Sequence, residues 1–64
     1  MKNNNLLMAR KRVGKTQIQV AIESNIPLAT YQRYEYGLRE PGIRIAIRIA
    51  NALGVTDLRE LFGN

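Results

Sequence analysis

The chain has 64 residues, with ten Lys and Arg against five Asp and Glu, a net charge of +5, and neither Cys nor His. That composition excludes disulfides, thiolate or imidazole metal sites, and nucleophiles activated by His. The acidic residues Glu23, Glu35, Glu40, Asp57 and Glu60 are scattered and form no pair spaced for acid–base work, so an enzyme is not expected, nor a cofactor or metal. A chain this short buries about 60% of the surface its unfolded form exposes; residues 1 to 64 are expected to form one domain with its core over about 5 to 62, and no fused ligand-binding domain.

Residues 1 to 4 are polar and expected to fray. Asn5 is placed as the N-cap of a first helix running to about Val13, with Leu6, Arg10 and Val13 on one face, and Gly14 ends it. Thr16-Gln17-Ile18-Gln19 fits the capping box, so a second helix runs from there to about Glu23 with Val20 and Ala21 inward. A break follows at Ser24-Asn25-Ile26-Pro27, where Asn25 tolerates a left-handed backbone and Pro27 suits the first turn of the next helix. The third helix runs from about Leu28 to Tyr36 and stops at Gly37. A basic loop, Leu38 to Gly42, leads to a fourth helix over Ile43 to Leu53. Its apolar stripe is Ile43, Ala46, Ile47, Ile49, Ala50 and Leu53, and Gly54 caps it. Thr56 is expected to cap a last short helix, Asp57 to Phe62, with Leu58, Leu61 and Phe62 closing the core.

The pattern is five short helices without strand signals: an all-α fold. Two of them, joined by a tight turn, make a helix-turn-helix, whose second helix can enter the DNA major groove. Net positive charge points to the same partner. No run of about 18 apolar residues exists to span a bilayer, and the polar N-terminus does not read as a signal peptide. A cytoplasmic protein is expected, in a bacterial or phage-infected cell, associated with the nucleoid.

Thr16-Gln17, Ala21, Thr30-Tyr31, Arg33-Tyr34-Glu35, Gly37 and Pro41, then Ala50, Leu53-Gly54-Val55, Asp57-Leu58 and Leu61-Phe62, together resemble the XRE-type family of Cro and lambda-type phage repressors. The resemblance spans roughly residues 6 to 62 and implies a five-helix lambda-repressor-like DNA-binding domain, commonly a dimer on a palindromic operator. Lys15, Ile18, Ile22, Ser24, Asn25 and Pro27 depart from the family pattern.

At about 100° per residue, Tyr31, Tyr34 and Glu35 fall on the inner side of the third helix. Leu28, Ala29, Gln32, Arg33 and Tyr36 fall on the outer side. The family's base-reading positions match Leu28, Ala29, Gln32 and Arg33, residue types that suit base edges and thymine methyls. Thr16 and Gln17 open the second helix, where free N–H groups favour a phosphate; the resemblance gives Gln17 a contact to the DNA backbone. Lys15, Tyr36, Arg39 and Arg44 flank the same surface as further backbone contacts. Arg10 and Glu35 lie on inward faces of helices expected to cross, and the matching family positions often pair. A weak or DNA-induced homodimer is expected through the end of the fourth helix and the last helix, near Val55 to Leu58.

The expected function is a small Cro-like repressor. The alternative is a protein-interaction module, antitoxin or antirepressor-like, with DNA binding secondary. Ile18 and Ile22, apolar at i and i+4, bear on that choice: they either lean on Leu7 or Met8 and extend the core, or form a partner surface.

Overall fold

A computed structural model describes residues 3 to 63. Its helices are α1 (Asn4–Arg12), α2 (Gln17–Glu23), α3 (Leu28–Glu35), α4 (Ile43–Leu53) and α5 (Arg59–Phe62). α2 packs on both α3 and α4, while α1 packs on α5 and on α3. One core lies between them, built on Leu6, Val20, Tyr31, Ile49, Leu53 and Leu61.

α1 to α4 all end in the same way. Past each, a residue adopts a left-handed backbone: Gly14, Asn25, Gly37 and Gly54, with φ of 70°, 57°, 74° and 70°. The next amide then donates back to a carbonyl in the last turn: Lys15 to Arg10 (3.2 Å), Ile26 to Ala21 (3.0 Å), Leu38 to Arg33 (2.9 Å) and Val55 to Ala50 (2.9 Å). This closure satisfies helix-end carbonyls and turns the chain sharply. Only the turn between α2 and α3 manages it without glycine.

The structure corrects several boundaries. The N-cap of α1 is Asn3, not Asn5: Asn3 Oδ1 accepts from the Leu6 amide (2.9 Å), and its Nδ2 donates to the Leu61 carbonyl (2.7 Å). The Asn3 amide also donates to the Glu35 carbonyl (3.0 Å). Asn3 and Asn4 are therefore ordered rather than frayed, whereas Met1 and Lys2 lie outside the described residues. At the other end, Thr56 is exposed and does not cap α5. Asp57 accepts from the Arg59 amide instead (3.0 Å), and the helix begins at Arg59. Val13 sits at the C-cap of α1, where the chain turns away, and is exposed rather than inward. On α4, Ile43 and Ile47 are exposed while Ile45 and Ala52 lean on the core; the buried stripe is narrower than the apolar one.

Ser24, at the C-cap of α2, is fully buried and its hydroxyl finds no hydrogen-bond partner. An unpaired buried hydroxyl costs about 1–3 kcal/mol. Ser24→Ala removes that hydroxyl and little volume. It is expected to keep the melting temperature or raise it, by up to about 1 kcal/mol of stability; a clear drop in thermal unfolding would show that Ser24 has a polar partner.

Candidate nucleic-acid interface

The second helix is fixed at its start by a reciprocal pair of hydrogen bonds. The Gln19 amide donates to Thr16 Oγ1 (3.1 Å), and the Thr16 amide donates to Gln19 Oε1 (2.7 Å). This places Gln17, the first residue of α2, half-buried beside α3. Across the turn, α3 sends Tyr31, Tyr34 and Glu35 inward and leaves Ala29 and Arg33 exposed, with Gln32 half-exposed between the two sides. Leu28 departs from its expected place: it is half-buried and packs against the core. The outer surface of α3 is therefore built on Ala29, Gln32 and Arg33, with only one side of Leu28 at its edge.

A buried cluster holds this surface. Arg10 Nε donates to Glu35 Oε2 (2.8 Å) and Arg10 Nη2 to Glu35 Oε1 (3.0 Å), a two-pronged ion pair between α1 and α3. Tyr31 Oη donates to Oε2 (2.7 Å) and Gln17 Nε2 to Oε1 (3.0 Å). The carboxylate, 4% exposed, thus accepts four hydrogen bonds, about as many as its lone pairs allow. Arg10 Nη1 also donates to the Lys15 carbonyl (2.9 Å), tying in the linker before α2. Gln32 Nε2 then donates to Gln17 Oε1 (3.1 Å), so an unbroken chain of hydrogen bonds runs from the core to the outer face of α3.

The electrostatics follow from these contacts. Burial alone would raise the Glu35 pKa, but the hydrogen bonds from Arg10, Tyr31 and Gln17 outweigh it and hold the carboxyl below its usual range. Hydrogen bonding to Glu35 pushes the Arg10 guanidinium further up. Burial, together with the neighbouring carboxylate, pushes the Tyr31 hydroxyl far above its ordinary value.

The flanking residues divide. Arg39, Arg44 and Tyr36 are exposed. Lys15 is engaged within the fold: its ammonium donates to Glu23 Oε1 (2.6 Å) and to the Ala52 carbonyl at the end of α4 (2.7 Å). Ile18 and Ile22 are 55% and 71% exposed, and Met8 is exposed too, so these isoleucines do not extend the core. Among the described residues, no three acidic side chains gather where a metal ion would sit, and no helix is long and apolar enough to cross a membrane.

Residues 6–61 match the Helix-turn-helix family, and the chain belongs to it. Over 54 residues, 84% of this chain, it is 41% identical to the cryptic phage CTXphi transcriptional repressor RstR of Vibrio cholerae; the match spans 47% of that repressor's length, about half. The fold is also that of the restriction-modification controller protein C.AhdI from Aeromonas hydrophila. The two superpose with a TM-score of 0.84 at 27% identity, over 94% of this chain and 89% of that one.

The ion pair carries two expectations. Removing one member of a buried pair costs about 3–5 kcal/mol, because the other is left charged and unpaired. Arg10→Met should destabilise by that order in chemical denaturation; an unchanged midpoint would mean that the pair contributes little. Glu35 has a folded pKa below its unfolded value of about 4.3, so its contribution is fully present above that pH and is lost as pH falls through the folded value. Acid unfolding should follow this course, and Arg10→Met should flatten it.

Proposed function

We propose that the chain is a sequence-specific DNA-binding transcriptional regulator, a small Cro-like repressor acting in the bacterial cytoplasm or a phage-infected cell. The observation that carries the reading is the outer face of α3. Ala29 and Arg33 are exposed one turn apart, Gln32 is oriented from behind by Gln17, and small Ala29 lets the helix approach base edges closely. Arg33 is suited to the O6/N7 edge of guanine and Gln32 to the N6/N7 edge of adenine. One side of Leu28 is left for a thymine methyl. The proposed phosphate contacts, which position without specifying, are Thr16, the exposed Tyr36, Arg39 and Arg44, and Gln17 through the amide N–H not spent on Glu35. Lys15 is the least suited of the expected contacts, because its ammonium is already tied to Glu23 and Ala52. The names of the phage repressor and the controller protein agree with this reading.

One recognition helix reads few base pairs, so a homodimer on a two-fold symmetric operator is part of the proposal, with half-sites about 34–36 Å apart or a multiple of that. The surface proposed for it is the end of α4 and the last helix, near Val55 to Leu58. Beside Leu58, exposed Ile43 at the start of α4 borders a groove lined by Ala46, Leu58 and Phe62.

Selection of binding sites from random duplexes should return a palindrome with a guanine and a nearby adenine or thymine in each half, occupied by two protomers at saturation. Arg33→Ala should lose about 1–3 kcal/mol on the selected operator and relax preference at one base pair. Arg44→Ala should weaken all sequences and reduce the salt slope by about one unit. Equal weakening of selected and scrambled duplexes by Arg33→Ala would make Arg33 a phosphate clamp; strict one-to-one binding would rule out the dimer.

A second reading draws on one observation. The exposed Ile18 and Ile22 suit a protein partner, as in an antitoxin or antirepressor-like module. A double Ile18→Lys, Ile22→Lys variant is expected to fold and to bind DNA as the parent does while losing any cellular partner. If it instead unfolds, the two side chains serve the core.

A further inference from the structure

We propose that Glu35 is a positioning residue for base selectivity: through Gln17 its carboxylate fixes which way the Gln32 amide faces, and so makes Gln32 a reader of adenine. This rests on the reading of α3 as the base-reading helix and adds to it a cause for one of its preferences.

An ionised carboxylate can only accept. Gln17 must therefore turn its amide nitrogen toward Glu35, as it does at 3.0 Å. That leaves Gln17 Oε1 facing Gln32. An oxygen there can only accept, so Gln32 must in turn offer its own nitrogen, as it does at 3.1 Å. The reversed Gln32 amide would bring two carbonyl oxygens together. What remains on Gln32 is Oε1 and a second N–H. That pair complements adenine, which offers an N6 donor and an N7 acceptor side by side. Guanine offers two acceptors, O6 and N7, and so sets an acceptor against Gln32 Oε1. A free glutamine would sample both orientations of its amide; this one is held in one of them.

The anchor is unusually firm. The remaining acceptor positions on Glu35 are filled by Arg10 and Tyr31, which hold the carboxylate from α1 and from within α3. The Thr16 capping box holds the start of α2, and with it the Gln17 backbone. A side chain ordered before DNA arrives also loses less conformational entropy on binding, so the relay favours affinity at the same base pair whose identity it selects.

The test is binding resolved by base pair, on a set of duplexes in which each position of the selected operator is changed in turn, with thermal unfolding of every variant. Gln32→Ala locates the base pair that Gln32 reads. Wild type is expected to prefer A·T there by roughly 5- to 150-fold, the range of a good bidentate contact. Gln17→Met keeps the length of the side chain and removes both relay hydrogen bonds together with the phosphate contact proposed for Gln17; affinity should fall on every duplex, and beyond that fall the preference at this one position should shrink to within about threefold while the ratio set by Arg33 is kept. Glu35→Gln, where it folds, frees the relay to reverse its direction and should shift the same position toward guanine. A merely structural role for Gln17 would lower the melting temperature or weaken all duplexes without changing the ratio at one position. If Gln17→Met keeps the full A·T preference at that position, whatever its effect on overall affinity, the relay does not set specificity. If Gln32→Ala alters no position while Arg33→Ala does, the base-reading face stands and this inference falls. A wild-type protein without preference at any position would overturn the reading of α3 itself.

Discussion

The Glu35 carboxylate is the group on which the rest of the molecule depends. It is the last residue of α3, buried among helices, and nothing apolar could replace what it does there. Four donors from α1, α2 and α3 converge on its two oxygens. Its backbone carbonyl takes a fifth, from the Asn3 amide just before α1. Three helices are thereby fixed to one another by a group that tolerates little displacement, because each hydrogen bond has a narrow range of length and angle. An apolar core permits small sliding at modest cost; this polar one does not. The helix-turn-helix thus has its geometry set by a charge, while Tyr31, Leu6, Ile49, Leu61 and Val20 are the largest fully buried apolar side chains.

Much of this was legible in the sequence because it is local. A capping box is four consecutive residues, and Thr16 to Gln19 form one. The left-handed positions are marked by Gly14, Gly37, Gly54 and Asn25, since few other residues adopt that backbone. Helical spacing separates Tyr31, Tyr34 and Glu35 from Ala29 and Arg33, and the family resemblance supplied the rest of the frame.

What spacing could not give are the choices made across the fold. Three asparagines stand in a row at residues 3 to 5, and any of them can cap a helix. Asn3 is selected by the Leu61 and Glu35 carbonyls, groups far away in the chain. Lys15 reads as a cation free to meet phosphate until the end of α4 arrives beside it with the Ala52 carbonyl. Leu28 reads as outward from the angle of its own helix, yet the first turn of α3 lies close enough to the core for a long side chain to lean back. Gln17 and Gln32 are 15 residues apart and meet only through the crossing of α2 and α3, so no pattern along the chain announces their contact. Ile43 and Ile47 continue an apolar stripe that the core is too small to cover.

The repeated helix stops have a consequence for descent. α3 has Pro27 at its N-cap, just past the turn at Asn25 that ends α2, and Gly37 after it, so neither its start nor its end is marked by the residues along its outer face. Ala29 and Arg33 can be exchanged for other side chains without moving a helix boundary or opening the core, and a lineage can drift among recognition surfaces by single steps with its fold intact. Position 32 is not free in the same sense, because its amide answers to Gln17. Within one helix of eight residues, some letters can be rewritten alone and one only in company.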